Sequence, residues 1–122
     1  MFRLIESIIQ TPIRFQPIGK TIKSGNVVEL VEIAGDIFVQ LSSGIKPFGF
    51  ADTIDDENGW VSIYNQKMIC RTSRFDKSLN YKPGNVLYVN NGVLTLNRNH
   101  YPVGHVISYF GGKNSSIELN WL

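Results

Sequence analysis

The chain has 122 residues, 43% of them hydrophobic and 18% charged, which suits one globular domain and excludes a disordered chain. Twelve basic residues against ten acidic ones leave a formal net charge of +2, and the basic residues are scattered. That pattern argues against a nucleic-acid partner held by a concentrated positive face. A chain of this length buries about two thirds of its unfolded surface, so a single core is expected. Cys70 is the only cysteine, which excludes an intrachain disulfide and cysteine-based zinc sets; its neighbours Met68 and Ile69 predict a buried, inert thiol. No stretch approaches the ~20 apolar residues of a membrane span, and Glu6 and Pro12 interrupt any secretion-signal pattern. The expectation is a protein made in the cytoplasm, with no membrane partner.

Residues 1–23 differ in character from the rest of the chain. Phe2, Ile5, Ile8 and Ile9 would share one helical face, yet Pro12 and Pro17 forbid a long helix. The segment reads as an extended N-terminal arm with one or two helical turns at its start, leading into a β-domain over residues 24–122. Its apolar side chains must meet a surface, at about 1.5–3 kcal/mol for each one fully buried. That surface is either the chain's own β-domain or a neighbouring subunit.

Beyond the turn at Lys23 to Asn26, Val27 to Ile33 reads as a strand. Both of its faces are largely apolar, which suggests a central strand or one covered on both sides. Ala34-Gly35-Asp36 returns the chain into Ile37 to Leu41. Lys46 to Ala51 is a short strand whose Gly49 permits a bulge or close backbone approach. Asp52, Asp55, Asp56 and Glu57 form an acidic loop without the alternating ligands of a calcium-binding loop, so solvation is the simpler reading and an ion stays an open alternative. Trp60 to Tyr64 and Met68 to Thr72 make a hairpin, and Ser73-Arg74-Phe75-Asp76 could be an N-capped helical turn.

Tyr81 to Ile107 carries the strongest local signal. Pro83-Gly84-Asn85 is a turn, Val86 to Val89 is a β-branched and aromatic run, and Asn91-Gly92 supplies positive-φ residues before Val93 to Leu96. Strands over Pro102 to Phe110 and Ile117 to Leu122 complete the chain. The same grammar occurs earlier: Gly25 falls on Gly84, Asn26 on Asn85 and Val27 on Val86 at an offset of 59, and Pro47 falls on Pro102 and Gly49 on Gly104 at an offset of 55. Two copies are too few for a solenoid, so the pattern predicts an all-β fold. It would be a small single-domain β-barrel or β-sandwich with pseudo-duplicated hairpin units; chance recurrence of turn dipeptides is the alternative.

Candidate chemistry is sparse. His100 and His105 sit in no nucleophile or metal motif; His105 reads as a partly buried strand residue and His100 as a loop residue. Asp76 and Glu118 could be an acid-base couple only if the fold joins them. No phosphate loop or dinucleotide fingerprint occurs. Arg71, Arg74, Phe75 and Tyr81, with Lys77 and Lys82, form a basic-aromatic patch that could stack bases, or else a solvated connection. No catalytic residue, metal site or cofactor is expected.

In order along the chain stand Pro47-Phe48-Gly49-Phe50-Ala51, Thr72-Ser73-Arg74-Phe75-Asp76, Tyr81 to Val89, Asn91-Gly92-Val93-Leu94-Thr95 and Pro102-Val103-Gly104-His105-Val106. This succession resembles the head decoration, or cement, proteins of tailed bacteriophages. The resemblance implies a non-enzymatic structural protein of the virion that binds the outside of the capsid, often as a trimer, and reinforces it. Its partner would be the major capsid protein. On that reading Phe2, Ile5, Ile8, Ile9, Ile13 and Phe15 make the capsid or subunit contact. Deleting residues 1–18 should then leave a folded domain that no longer coats shells. The alternatives are a tail, baseplate or fibre module, and a nucleic-acid-binding β-barrel.

Overall fold

Turns bounded by glycine and alternating apolar residues put the chain into strands from end to end. A computed structural model describes residues 1–8, 11–55 and 59–122, and no helix occurs among them. The strands are β1 (Phe2–Glu6), β2 (Ile13–Pro17), β3 (Val27–Ile33), β4 (Asp36–Leu41), β5 (Gly49–Ile54), β6 (Val61–Tyr64), β7 (Met68–Thr72), β8 (Val86–Asn90), β9 (Val93–Thr95), β10 (Gly104–Phe110) and β11 (Ser116–Trp121). β2, β4, β3, β5 and β6 close a barrel in that order, with β2 parallel to β4 and antiparallel to β6. The remaining strands form a six-stranded sheet ordered β1-β7-β11-β10-β8-β9.

The internal repeat is structural. In both units an asparagine side chain accepts the backbone N–H three residues earlier: Lys23 N to Asn26 Oδ1 at 2.8 Å, and Lys82 N to Asn85 Oδ1 at 2.7 Å. In both, that asparagine's carbonyl accepts a strand amide, from Ala51 at 2.9 Å and from Val106 at 2.9 Å. Val28 pairs with Gly49 as Leu87 pairs with Gly104. A Cβ on Gly49 would meet the Tyr64 carbonyl oxygen, and one on Gly104 would meet the Asn120 carbonyl oxygen, so neither position has room for a side chain.

The correspondence extends past the motifs. β7 takes the part of β2: Pro17 pairs in parallel with Val39 of β4, and Phe75, just after β7, makes a parallel bridge to Leu94 of β9. The Ile18 and Asp76 amides donate to the Val39 and Leu94 carbonyls, each at 2.8 Å. The second unit is thus a curled copy of the closed barrel. The difference between the two offsets lies in the hairpins. β3 and β4 run on to Ile33 paired with Asp36 around Ala34-Gly35, whereas β8 and β9 already end at Asn90 paired with Val93 around Asn91-Gly92. Ala34 and Asn91 have φ of 53° and 49°, and the glycines after them 88° and 77°, which is the left-handed pair a two-residue hairpin turn demands.

The single core expected from length is two apolar clusters. One gathers Phe2, Val27, Phe50, Leu87, Leu119 and Trp121 among others; the second gathers Ile22, Val28, Val39, Ala51, Val61 and Ile63. Strand alternation joins them. Val27 faces the first cluster and Val28 the second, as do Phe50 and Ala51 on β5, so these strands are covered on both sides. The duplication supplies a core to each unit, and the shared strands hold both in one body.

Residues 1–23 are extended, as expected, but they do not form a free arm. β1 pairs antiparallel with β7, Phe2 opposite Thr72 and Leu4 opposite Cys70, and β2 closes the barrel. The helical turns expected at the start do not form among the described residues, because β1 has a two-residue period, with Phe2 inside and Arg3 outside. Deleting residues 1–18 would therefore remove a strand from each sheet. Ser73 to Asp76 is likewise no helical turn, since Phe75 is drawn into its bridge with Leu94.

Candidate interaction surfaces

The six residues assigned to capsid contact do not share one environment. Phe2 is buried, its ring 5.3 Å from Phe50 and 5.8 Å from Tyr64 in stacked arrangements, so it is a core residue and cannot meet a partner. Phe15 is half-buried and packs edge-on against Phe48 at 5.8 Å. Ile5, Ile8 and Ile13 are exposed. Ile9 lies outside the described residues, as do Asp56 and Glu57 of the acidic loop.

Near the end of β1, Glu6, Ile8, Met68, Ile69, Trp121 and Leu122 line a largely apolar groove of about 420 Å³. β1 is the outer strand of its sheet, paired among the described residues with β7 alone. The Ser73 amide donates to the Met1 carbonyl, so Met1 and Arg3 face β7 in hydrogen-bonded pairs. Antiparallel alternation then turns the backbone groups of Phe2 and Leu4 toward the other side. Leu122 belongs to this groove but stands after the last strand, where no periodicity points to it.

The basic-aromatic patch comes apart. Phe75 and Tyr81 are buried and meet edge-on at 5.0 Å, and the Tyr81 hydroxyl donates to the Asp76 carbonyl at 2.8 Å. Their rings are unavailable for stacking on bases. Burial, with the Asp76 charge next in size, pushes the Tyr81 phenol well above its ordinary value. Arg71 pairs with Glu118 on the adjacent strand at 3.3 Å and lies over the Phe110 ring at 3.9 Å. Arg74 separates from these and turns toward a basin of about 690 Å³, lined by Ser73, Arg74, Lys77, Lys113, Asn114 and Ser115 with Met1 at its side. Lys77 and Lys113 reach it from segments 36 positions apart; Lys77 belongs to the basic run of the sequence, whereas no local motif announces Lys113.

The remaining polar candidates are dispersed. The Asp76 carboxylate accepts from the Ser78 hydroxyl and amide, which hold it below its ordinary value, while Glu118 belongs to Arg71. They do not form a couple. His105 is exposed rather than partly buried, because it alternates with inward Gly104 and Val106, and His100 sits in a left-handed loop position with φ of 61°. Cys70 is fully enclosed, and burial pushes its thiol far up. Asp55 pairs with Arg14 at 3.4 Å. Among the described residues no cluster of histidine, cysteine and carboxylate has the makings of a metal site, and no helix is long and apolar enough to cross a membrane. Compared with known proteins, the chain matches no family model and no curated protein.

Proposed function

We propose that the protein is a structural attachment module, a phage head decoration protein that binds the outer capsid surface and stabilises the shell, with the major capsid protein as its partner and self-association as a homo-oligomer. The observation that carries this reading is the apolar band along the edge of the six-stranded sheet. Ile8 is wholly exposed, and Ile5 and Leu122 are 43% and 58% exposed, beside the groove over Trp121 and Met68. Exposed apolar side chains grouped at a groove are the kind of surface a protein partner covers. An outer strand can also accept a neighbour's strand. Contacts of this kind are individually modest, and attachment at many equivalent capsid sites multiplies them. The ordered turn motifs from Pro47 to Val106 supply the link to capsid proteins in particular.

The capsid contact in this proposal rests on Ile5, Ile8 and the groove; Phe2 drops out. Antibody labelling of phage particles in negative stain tests it. Label over heads is expected, and an Ile5→Asp/Ile8→Asp variant should retain its fold and lose the heads. Label confined to tails would move the protein to the tail or baseplate, and binding to neither would end the virion reading.

A further inference from the structure

We propose that the basin between the Ser73 to Lys77 segment and the turn at Lys113 to Ser115 is an oxyanion-binding site, taking a phosphate or carboxylate group on the Arg74 guanidinium and the Lys113 ammonium. Arg74 is half-buried and uses only its Nε, which donates to the Ser24 carbonyl at 3.4 Å. Its two Nη groups have no partner among the described residues, and they are the fork that matches the two oxygens of a carboxylate or phosphate. Lys113 has no partner among those residues either and stands on a turn whose Gly112 has φ of 95°.

Lys77 supplies fixed charge rather than a free donor. Its Nζ donates to the Ser73 carbonyl at 2.8 Å, the Ser115 carbonyl at 3.2 Å and the Ser115 hydroxyl at 3.1 Å, and it lies 3.7 Å from the centre of the Phe75 ring. All of these neighbours are neutral. No carboxylate lines the basin among the described residues. Three cationic side chains therefore surround one cavity without a counter-charge from those residues. Burial chiefly, and the Arg74 charge second, lower the Lys77 ammonium below its ordinary value. An anion entering the basin would remove that repulsion and pair the idle guanidinium donors.

The test is a titration of the whole chain with inorganic phosphate and, separately, glutarate at constant ionic strength, monitored by backbone amide shifts in NMR. Saturable shifts confined to Ser73 to Lys77 and Lys113 to Ser115 are expected. Tighter saturation by phosphate would assign a phosphoryl group, and tighter saturation by glutarate a carboxylate such as an acidic side chain of a partner. Arg74→Gln should weaken binding roughly tenfold or more, while Arg74→Lys, which keeps charge without the fork, should fall between. Lys113 is exposed and without structural bonds among the described residues, so Lys113→Gln gives a loss of several-fold in a protein whose melting point is unchanged. Shifts that stay linear, spread over all basic residues, or persist unchanged in Lys113→Gln and Arg74→Gln would overturn the site.

Discussion

Phe2 shows how a single side chain fixes the status of the whole leading segment. Enclosed between Phe50 and Tyr64, it forms part of the larger core, and truncating a buried phenylalanine leaves a cavity on top of the lost transfer energy. Phe2→Ala should therefore cost about 3–5 kcal/mol in urea or thermal unfolding, whereas the same change in a free arm would leave the midpoint where it is. Cys70 makes a second prediction at this scale. Its folded-state value is raised, so between its ordinary value of 9.0 and the folded one only the unfolded chain releases the proton. The contribution is complete below pH 9 and drains away above it, by at most about 1.4 kcal/mol per pH unit for one group. Cys70→Val, close in volume, should flatten the alkaline decline of the unfolding free energy between pH 9 and 11. An unchanged slope would mean that the thiol is not held protonated by the fold.

At the scale of elements, the turns were legible and the pairings were not, for a reason that residues make plain. Asn91-Gly92 needs positive φ at both positions, a local demand that writes itself into residue type; Gly49 and Gly104 answer a carbonyl of a partner strand that leaves no space for a Cβ, and glycine marks that demand too. These demands delimit the strands between residues 27 and 121 closely. The partner of β1 is β7, more than sixty residues away, and nothing in Phe2 to Glu6 encodes that distance, so the proline positions dominate the reading and give an arm. The polar side chains suffer the same limit. Arg71, Arg74, Phe75 and Tyr81 are neighbours along the chain, yet one is spent on Glu118, two are buried and only Arg74 reaches a cavity. The repeat offers a test of how far element equivalence holds. Removing Glu32, Ile33, Asp36 and Ile37 would bring the β3–β4 hairpin to the length of β8–β9 while retaining the Val31 and Phe38 pair and the Ala34-Gly35 turn. Ile33 and Ile37 are 49% and 47% exposed, so circular dichroism should show the same fold and a melting point within a few degrees of the parent. Loss of the fold would show that the extra rungs support the barrel.

For the whole molecule the question is whether two cores make two folding units. The wiring between them says one. The Gly92 carbonyl, at the tip of the second unit's hairpin, accepts from the Val27 amide at 2.8 Å and from the Asn26 side chain at 3.0 Å, and the Gly92 amide donates to the Ser42 carbonyl at 2.7 Å. Thr72, fully buried at the end of β7, donates to the Gly25 carbonyl at 2.8 Å, and the Asn99 side chain reaches the Ser43 carbonyl, also at 2.8 Å. Opening either unit alone would break these bonds, at about 1–3 kcal/mol for each of the buried groups at Asn26, Val27, Ser42, Thr72 and Gly92 left unpaired. It would also bare one face of β3 and β5, whose alternate residues serve both clusters. Because both units share these bonds and strands, neither can open without taking away part of the other's support. Calorimetric and van't Hoff enthalpies should therefore agree, with a single transition reported alike by near-ultraviolet and far-ultraviolet circular dichroism. The segments 1–66 and 67–122, expressed apart, should each remain unfolded and regain structure when mixed. Two resolved transitions, or a folded half, would show that the barrels are independent and that the contacts around Gly92 merely dock them.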